Sequence, residues 1–197
     1  METAAQPRLP RAERREQIVA AATRAFATEG FAATGLDEIA AEAGISRAIL
    51  YRHFESKTDL YRAVLDRVCE RLGAAVGERP GGFTDAAVDG LIAGAAADPD
   101  GFRLLFQHVP REPEFRDFAD RFGTGMTAAA HQQIAALVPD PAWARWAAKL
   151  APVVAIEAVI AWLDAGRPDI DAAADRVRGA IGGVVSAAQH RPEPTEA

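Results

Sequence analysis

Cysteine is almost missing from this chain of 197 residues: Cys69 stands alone, so no internal disulfide and no Cys-x-x-Cys metal site can form. Lysine is nearly as rare, with Lys57 and Lys149 the only two among 22 basic side chains. No uninterrupted apolar run approaches the ~18 residues that a membrane crossing requires, so no membrane partner is expected. Residues 1–10 hold no apolar core of the secretory kind, and the expected address is the reducing cytoplasm. Alternating β-branched and aromatic runs are also missing, which removes the usual strand signal. His53, His108, His131 and His190 each lack a second ligand at metal spacing, so no metal is expected. GxSxG, P-loop and GxGxxG patterns do not occur, and the chain reads as neither an enzyme nor a cofactor binder.

What remains is 49% hydrophobic and 25% charged, enough apolar matter for a real core. The formal charge of −6 opposes indiscriminate adhesion to nucleic acid but leaves room for one small basic face. Alanine-rich segments with apolar residues three and four apart give an all-α reading, punctuated by glycine and proline. Residues 1–10 read as a mobile arm and 190–197 as a frayed tail. Between them, Arg11–Glu29 carries a stripe of Ile18, Ala22, Ala25 and Phe26, and Gly30 should stop it. Thr34-x-x-Asp37 resembles a capping box opening a second helix that buries Leu36, Ile39, Ala40 and Ala43. Gly44 ends that helix, Ile45 plugs the corner, and Ser46 should cap a third, short helix running to about His53. A fourth begins near Ser56 and continues through Leu60, Val64, Val68 and Leu72. Two short helices around a tight glycine turn fit either a helix-turn-helix or an ordinary antiparallel pair, and spacing leaves both open.

Specific motifs tip that balance. They are Phe26-x-x-x-Gly30-Phe31, Ile39-Ala40-x-x-Ala43-Gly44-Ile45-Ser46 and Leu50-Tyr51-x-His53-Phe54-x-x-Lys57. Over about residues 11–68 the chain resembles the DNA-binding domain of the TetR family of bacterial transcriptional regulators. The resemblance implies a helix-turn-helix regulator that binds double-stranded DNA at an inverted repeat as a homodimer. It implies DNA contacts from Thr34, Gly35, Ser46, Arg47, Ala48, Ile49, Tyr51, Arg52, His53 and Lys57. Leu50 and Phe54, four apart, should face inward and present the opposite face to a major groove. There Arg47 could pair bidentately with guanine, whereas Ala48 and Ile49 could read only thymine methyls. Tyr51, His53 and Lys57 take the positions from which relatives touch phosphates. Two departures from the family pattern, Gly35 and Asp37, each remove a plausible phosphate contact, and Asp37 adds repulsion. An arginine cluster of Arg8, Arg11, Arg14 and Arg15 could compensate, or could simply be a solvated helix start.

The sequence divides accordingly into residues 11–76, the DNA-binding domain with a connector helix, and 77–189, an effector-binding and dimerisation domain. Helices are expected over Thr84–Ala97, Asp100–His108, Pro113–Val138, Ala142–Ala165 and Ile170–Gln189, with Pro152 kinking or splitting the fourth of these. An effector pocket would draw on Phe102, Arg103, Phe106, Gln107, His108, Phe122, Met126, His131, Trp143 and Trp146, although phenylalanines at helical spacing are more often plain core. Val153, Ile156, Ile160 and Leu163 with Val177, Ile181, Val184 and Val185 form stripes that suit either internal packing or a dimer interface. The family habit and the close approach permitted by Gly179, Gly182 and Gly183 favour the dimer. The resulting expectation is a repressor released from a palindromic operator by a small molecule. Two alternatives remain: a helix-turn-helix protein controlled by a protein partner with no small-molecule pocket, and an all-helical enzyme.

Overall fold

The computed structural model describes residues 9–77 and 85–190, and these are helical throughout, with no strand among them. The segments 1–8 and 191–197, which include Arg8 and most of the expected arm and tail, lie outside the described residues, as does Thr84.

α1 (Arg11–Ala33) is broken at Gly30, whose φ of 78° and ψ of 174° are non-helical, so the stretch from Arg11 stops there as expected and a short helical stretch follows to Ala33. That backbone region is open essentially to glycine alone. α2 (Leu36–Glu42) starts from Gly35, whose lack of a side chain leaves the start uncapped. The expected Thr34-Asp37 capping box does not form. Thr34 is buried, and its hydroxyl donates backwards to the carbonyls of Gly30 (2.7 Å) and Ala25 (3.3 Å), so it closes α1 and does not open α2. A cap of that kind stands two helices later: the Asp59 amide donates to Ser56 Oγ at 3.0 Å, and the Asp59 carboxylate accepts from the Glu55 amide at 3.2 Å. It opens α4 (Lys57–Val76). Between α2 and α4, Gly44 at φ 64° makes the tight turn, and α3 (Arg47–Tyr51) begins at Ser46 as expected.

Beyond α4 come α5 (Asp85–Ala97) and α6 (Pro99–Arg103), which Asp98 caps by accepting the Gly101 amide. α6 does not continue as α-helix to His108. It widens into a π-turn over Leu104–His108, then tightens into 3-10 turns at Val109–Arg111 and Pro113–Phe115. α7 (Arg116–Ile134), α8 (Pro141–Asp164) and α9 (Ile170–Gln189) complete the chain. Pro152 neither splits α8 nor interrupts its helical course. It is buried, and α8 is held on both sides by α7 and α9, so tertiary packing outweighs the missing backbone donor. α8 is long and apolar enough to cross a membrane by length and composition, which corrects the expectation that no segment would be. Half of its most apolar window is buried against neighbouring helices, as befits a core helix.

Three apolar cores result. The first joins Ile18, Phe26, Leu50, Phe54, Leu60 and Tyr61 to Leu104, Leu105, Val109 and Phe115. The second lies between α5, α6, α8 and α9 around Phe102, Val159, Trp162 and Val177. The third seals α7, α8 and α9 around Ile134, Ala147, Ala151 and Val184. The first core crosses the boundary drawn at residue 76, because the segment after α6 packs onto the N-terminal helices. α4 is therefore not the sole connection between the two halves. α4 and α5 also pack backbone to backbone: a Cβ on Gly90 would fall 2.2 Å from the Ala75 carbonyl oxygen.

Candidate functional site

α3 is a platform fixed from beneath. Leu50 and Phe54 are fully buried, and Ser46 accepts the Ile49 amide at 3.4 Å. Ser46, Arg47, Ala48, Tyr51 and Arg52 are exposed on the opposite side, with Ile49 half-buried. The structure thus brings together the side chains expected to face a groove. Arg47 is not idle in the unbound protein. Its guanidinium donates to Asp37 at 2.7 Å and to the Tyr51 hydroxyl at 3.3 Å, and it lies 5.5 Å from the Tyr51 ring centre. Asp37, one of the two departures from the family pattern, therefore holds the guanidinium. Behind α3, Arg15 stacks over the Phe54 ring at 5.0 Å. Half-buried His53 has its pKa lowered, first by burial and then by Arg11, Arg14 and Arg15. Those arginines form a local positive field on an otherwise acidic chain.

Two expected contacts sit elsewhere. Lys57 does not present a free ammonium: Nζ donates to the carbonyls of Phe31 (2.6 Å), Ala32 (3.2 Å) and Thr34 (3.1 Å). The carbonyls at the end of α1 have no intrahelical partners, and a lysine there satisfies them while opposing the negative end of the helix dipole. Thr34 is likewise unavailable for a phosphate, since its hydroxyl is turned inward. Gly35 remains exposed at the start of α2.

Phe31 is a junction between the two halves. Its carbonyl is held by Lys57, and its amide donates to Glu112 Oε1 at 2.8 Å across 81 positions of sequence. Its ring meets Tyr61 and Phe115 edge-on at 5.0 and 5.1 Å. Gly30 permits the approach, because a Cβ there would stand 3.0 Å from the same Glu112 oxygen. Nothing in the local sequence announces Glu112.

A cavity of 330 Å³ opens between α4, α5, the π-turn, α7 and α8. Of the expected pocket residues, Phe106, Phe122 and Met126 line it. The others do not. Phe102 is packed into the second core, and Arg103 pairs with Asp164 at 2.8 Å on the surface. His108 lies beside Gly30, and neither it nor Gln107 reaches the cavity. His131 lines an outer groove between α7 and α8, and Trp143 and Trp146 are exposed, edge to face with each other at 5.7 Å. The missed wall is α4, with Cys69, Leu72, Gly73 and Val76. Their spacing of three, one and three was a visible signal, a second apolar stripe beside the core-facing one.

The expected dimer stripes also divide. Ile160, Leu163, Val177 and Val184 are buried within the chain and cannot meet a partner. Ile156 lines the cavity, and Val153 is exposed along the outer groove. Ile181 and Val185 stay half-buried on the α8–α9 seam, beside Leu150 and Val154. A Cβ on Gly179, Gly182 or Gly183 would meet nothing within 4 Å among the described residues.

Residues 18–64 match the tetR family of bacterial regulatory proteins. The HTH-type transcriptional activator FasR of Mycolicibacterium smegmatis is 42% identical over 107 residues, 51% of this chain and 49% of that protein. The HTH-type transcriptional regulator TtgR of Pseudomonas putida is 47% identical over 58 residues, 29% of this chain and 28% of that protein. The matched residues thus span about half, or less, of these curated relatives. A TetR-like transcriptional regulator from Rhodococcus sp. RHA1 shares the fold with a TM-score of 0.72 at 23% identity, over 91% of this chain and 99% of that one. The helix-turn-helix built on α2 and α3 lies within the residues that match the tetR family.

Proposed function

We propose that the chain is a DNA-binding transcriptional regulator whose grip on DNA is set by a small molecule in the cavity. The observation that carries this reading is the exposed polar face of α3, held up by Leu50 and Phe54. Ser46, Arg47, Ala48, Ile49 and Arg52 would enter the major groove. Tyr51, His53 and the Arg11, Arg14 and Arg15 cluster would meet phosphates. The N-terminal unit of residues 11–76 reads DNA and lends α4 as one wall of the effector cavity, and residues 77–189 supply the other walls and dimerise.

A homodimer would place two α3 helices on an inverted repeat with half-sites about one helical turn, ~34–36 Å, apart. The α8–α9 seam of Leu150, Val154, Ile181 and Val185, flanked by the unused glycines of α9, is the face we assign to the partner copy. We favour ligand release of a repressor, with α4 as the link: it walls the cavity at one end and holds the end of α1 through Lys57 at the other. A ligand that shifts α4 must bind one arrangement better than the other, and operator DNA must then weaken ligand binding by the same factor. The cavity favours this over control by a protein partner.

Selection from a random duplex library tests the reading. Enrichment of a palindrome, with affinity falling steeply as salt rises, is expected. Recovery of no preferred sequence at moderate salt would overturn it.

A further inference from the structure

The cavity exists because a side chain is missing. Cys69, Leu72, Gly73 and Val76 face it from α4, and a Cβ built on Gly73 would meet nothing within 4 Å. Phe106, Phe122, Met126 and Ile156 stand among the other walls. Among the described residues no lining side chain carries a charge, and the side-chain heteroatoms are the sulfurs of Cys69 and Met126. Burial, helped by Asp66, pushes that thiol up to about 11, so it stays neutral at physiological pH and offers only a weak hydrogen bond. A charged or strongly hydrogen-bonding group in this space would give up its water without a replacement partner. The described lining suits hydrocarbon.

A second cavity fixes the shape. At 300 Å³, it shares Phe106, Phe122, Met126 and Ile156 with the first and reaches exposed Arg116, Asp120 and Glu157. Two spaces that share these four side chains as walls suit a chain laid past them better than a disc. Taking ~30 Å³ per methylene-sized group, the liquid share of one water, the inner cavity holds about ten to twelve carbons.

We propose that the effector carries an unbranched, uncharged hydrocarbon segment of that length in the α4-walled cavity, with any polar end left near Arg116, Asp120 and Glu157. The assignment rests on the regulator reading only in calling the occupant an effector, and binding is measured without DNA.

The full chain is titrated with straight-chain alcohols from hexan-1-ol to tetradecan-1-ol by displacement of a fluorescent apolar probe. Kd is expected to fall about four-fold per added carbon, the equivalent of ~0.8 kcal/mol per methylene, and to level off near twelve carbons. Dodecanoate binding within about ten-fold of dodecan-1-ol would mark the segment as the tail of an amphiphile whose head stays outside. Strong discrimination in favour of the alcohol would mark a free neutral lipid. Gly73→Phe is expected to weaken dodecan-1-ol at least ten-fold while the unfolding midpoint holds or rises, since glycine is a poor helix former. Affinity independent of chain length would overturn the proposal, as would full affinity in Gly73→Phe or a preference for short charged ligands. Alcohol binding without any DNA selection would instead sink the regulator reading and leave the cavity assignment standing.

Discussion

The ammonium of Lys57 lies 2.6 Å from the carbonyl oxygen of Phe31 and 4.6 Å from the centre of its ring. One cation therefore closes α1, anchors the first turn of α4 and stacks on the aromatic residue that Glu112 holds from the other half of the chain. The family resemblance implied a phosphate contact. The geometry gives Lys57 a structural role, and Lys57→Met should lower the unfolding free energy by ~1.5–3 kcal/mol, the worth of hydrogen bonds to a charged group. Urea denaturation measures this. An unchanged midpoint, together with a DNA salt slope reduced by about one unit, would return the ammonium to a phosphate.

Arg47 has to leave Asp37 to reach a base. Asp37→Ala should therefore raise affinity for the selected operator, by up to about five-fold at low salt, since an exposed ion pair is worth at most ~1 kcal/mol. Arg47→Ala should relax preference at one base-pair position, at a cost of ~1–3 kcal/mol. Fluorescence anisotropy on operator variants reads both. Asp37→Ala binding more weakly than the parent would show that the ion pair organises the interface and does not restrain it.

His53 supplies a pH dependence whose sign is fixed. Its folded pKa lies below the ordinary 6.5, so as pH falls through 6.5 the unfolded chain takes up a proton before the folded one does. Stability should decline below that pH, and His53→Gln should remove this component from denaturation midpoints taken at pH 7.5 and 5.5. A phosphate beside His53 would raise its pKa, so DNA binding should gain a proton. Operator affinity should strengthen as pH drops towards 6, by at most about ten-fold per unit for one proton. A pH-independent operator affinity would place His53 away from the backbone.

The Gly30–Glu112 contact should be intolerant of bulk. Gly30→Ala combines a glycine-only backbone region with a 3.0 Å approach to the carboxylate, and a loss of ~1–3 kcal/mol is expected. Glu112→Ala strips the Phe31 amide of its partner at a similar cost, whereas Glu112→Gln keeps an acceptor there. Equal losses from the Ala and Gln variants of Glu112 would make its charge, not the hydrogen bond, the source of the effect.

Tyr61→Phe should do the opposite. The Tyr61 hydroxyl is buried without a hydrogen-bond partner among the described residues, and both burial and nearby Glu112 oppose its ionisation. Removing it leaves the ring contacts with Phe26, Phe31 and Phe115 intact, so the thermal midpoint should hold or rise. A clear fall would reveal a bound water bridging the hydroxyl.

Local chemistry marked two short helices around a glycine turn, and the family resemblance of their motifs made them a helix-turn-helix. Gly44, Ser46, Leu50 and Phe54 act through the turn, the cap and the inward face at short range, and each stands where its residue type requires. α9 was legible from end to end for the same reason: an apolar stripe begun by a capping aspartate and closed by polar residues. Tertiary structure decided everything that depends on what lies opposite. A stripe such as Ile160, Leu163 and Val177 looks the same whether it meets its own chain or a second copy, and only packing turned it inward. Periodicity marked Leu60, Val64, Val68 and Leu72 as the face of α4 and passed over Cys69, Gly73 and Val76, because a cavity is defined by atoms that are absent, which no local pattern records. Lys57 and Glu112 converge on Phe31 from 26 and 81 positions away. Such a meeting is set by how helices cross, and single-chain spacing carries no trace of it.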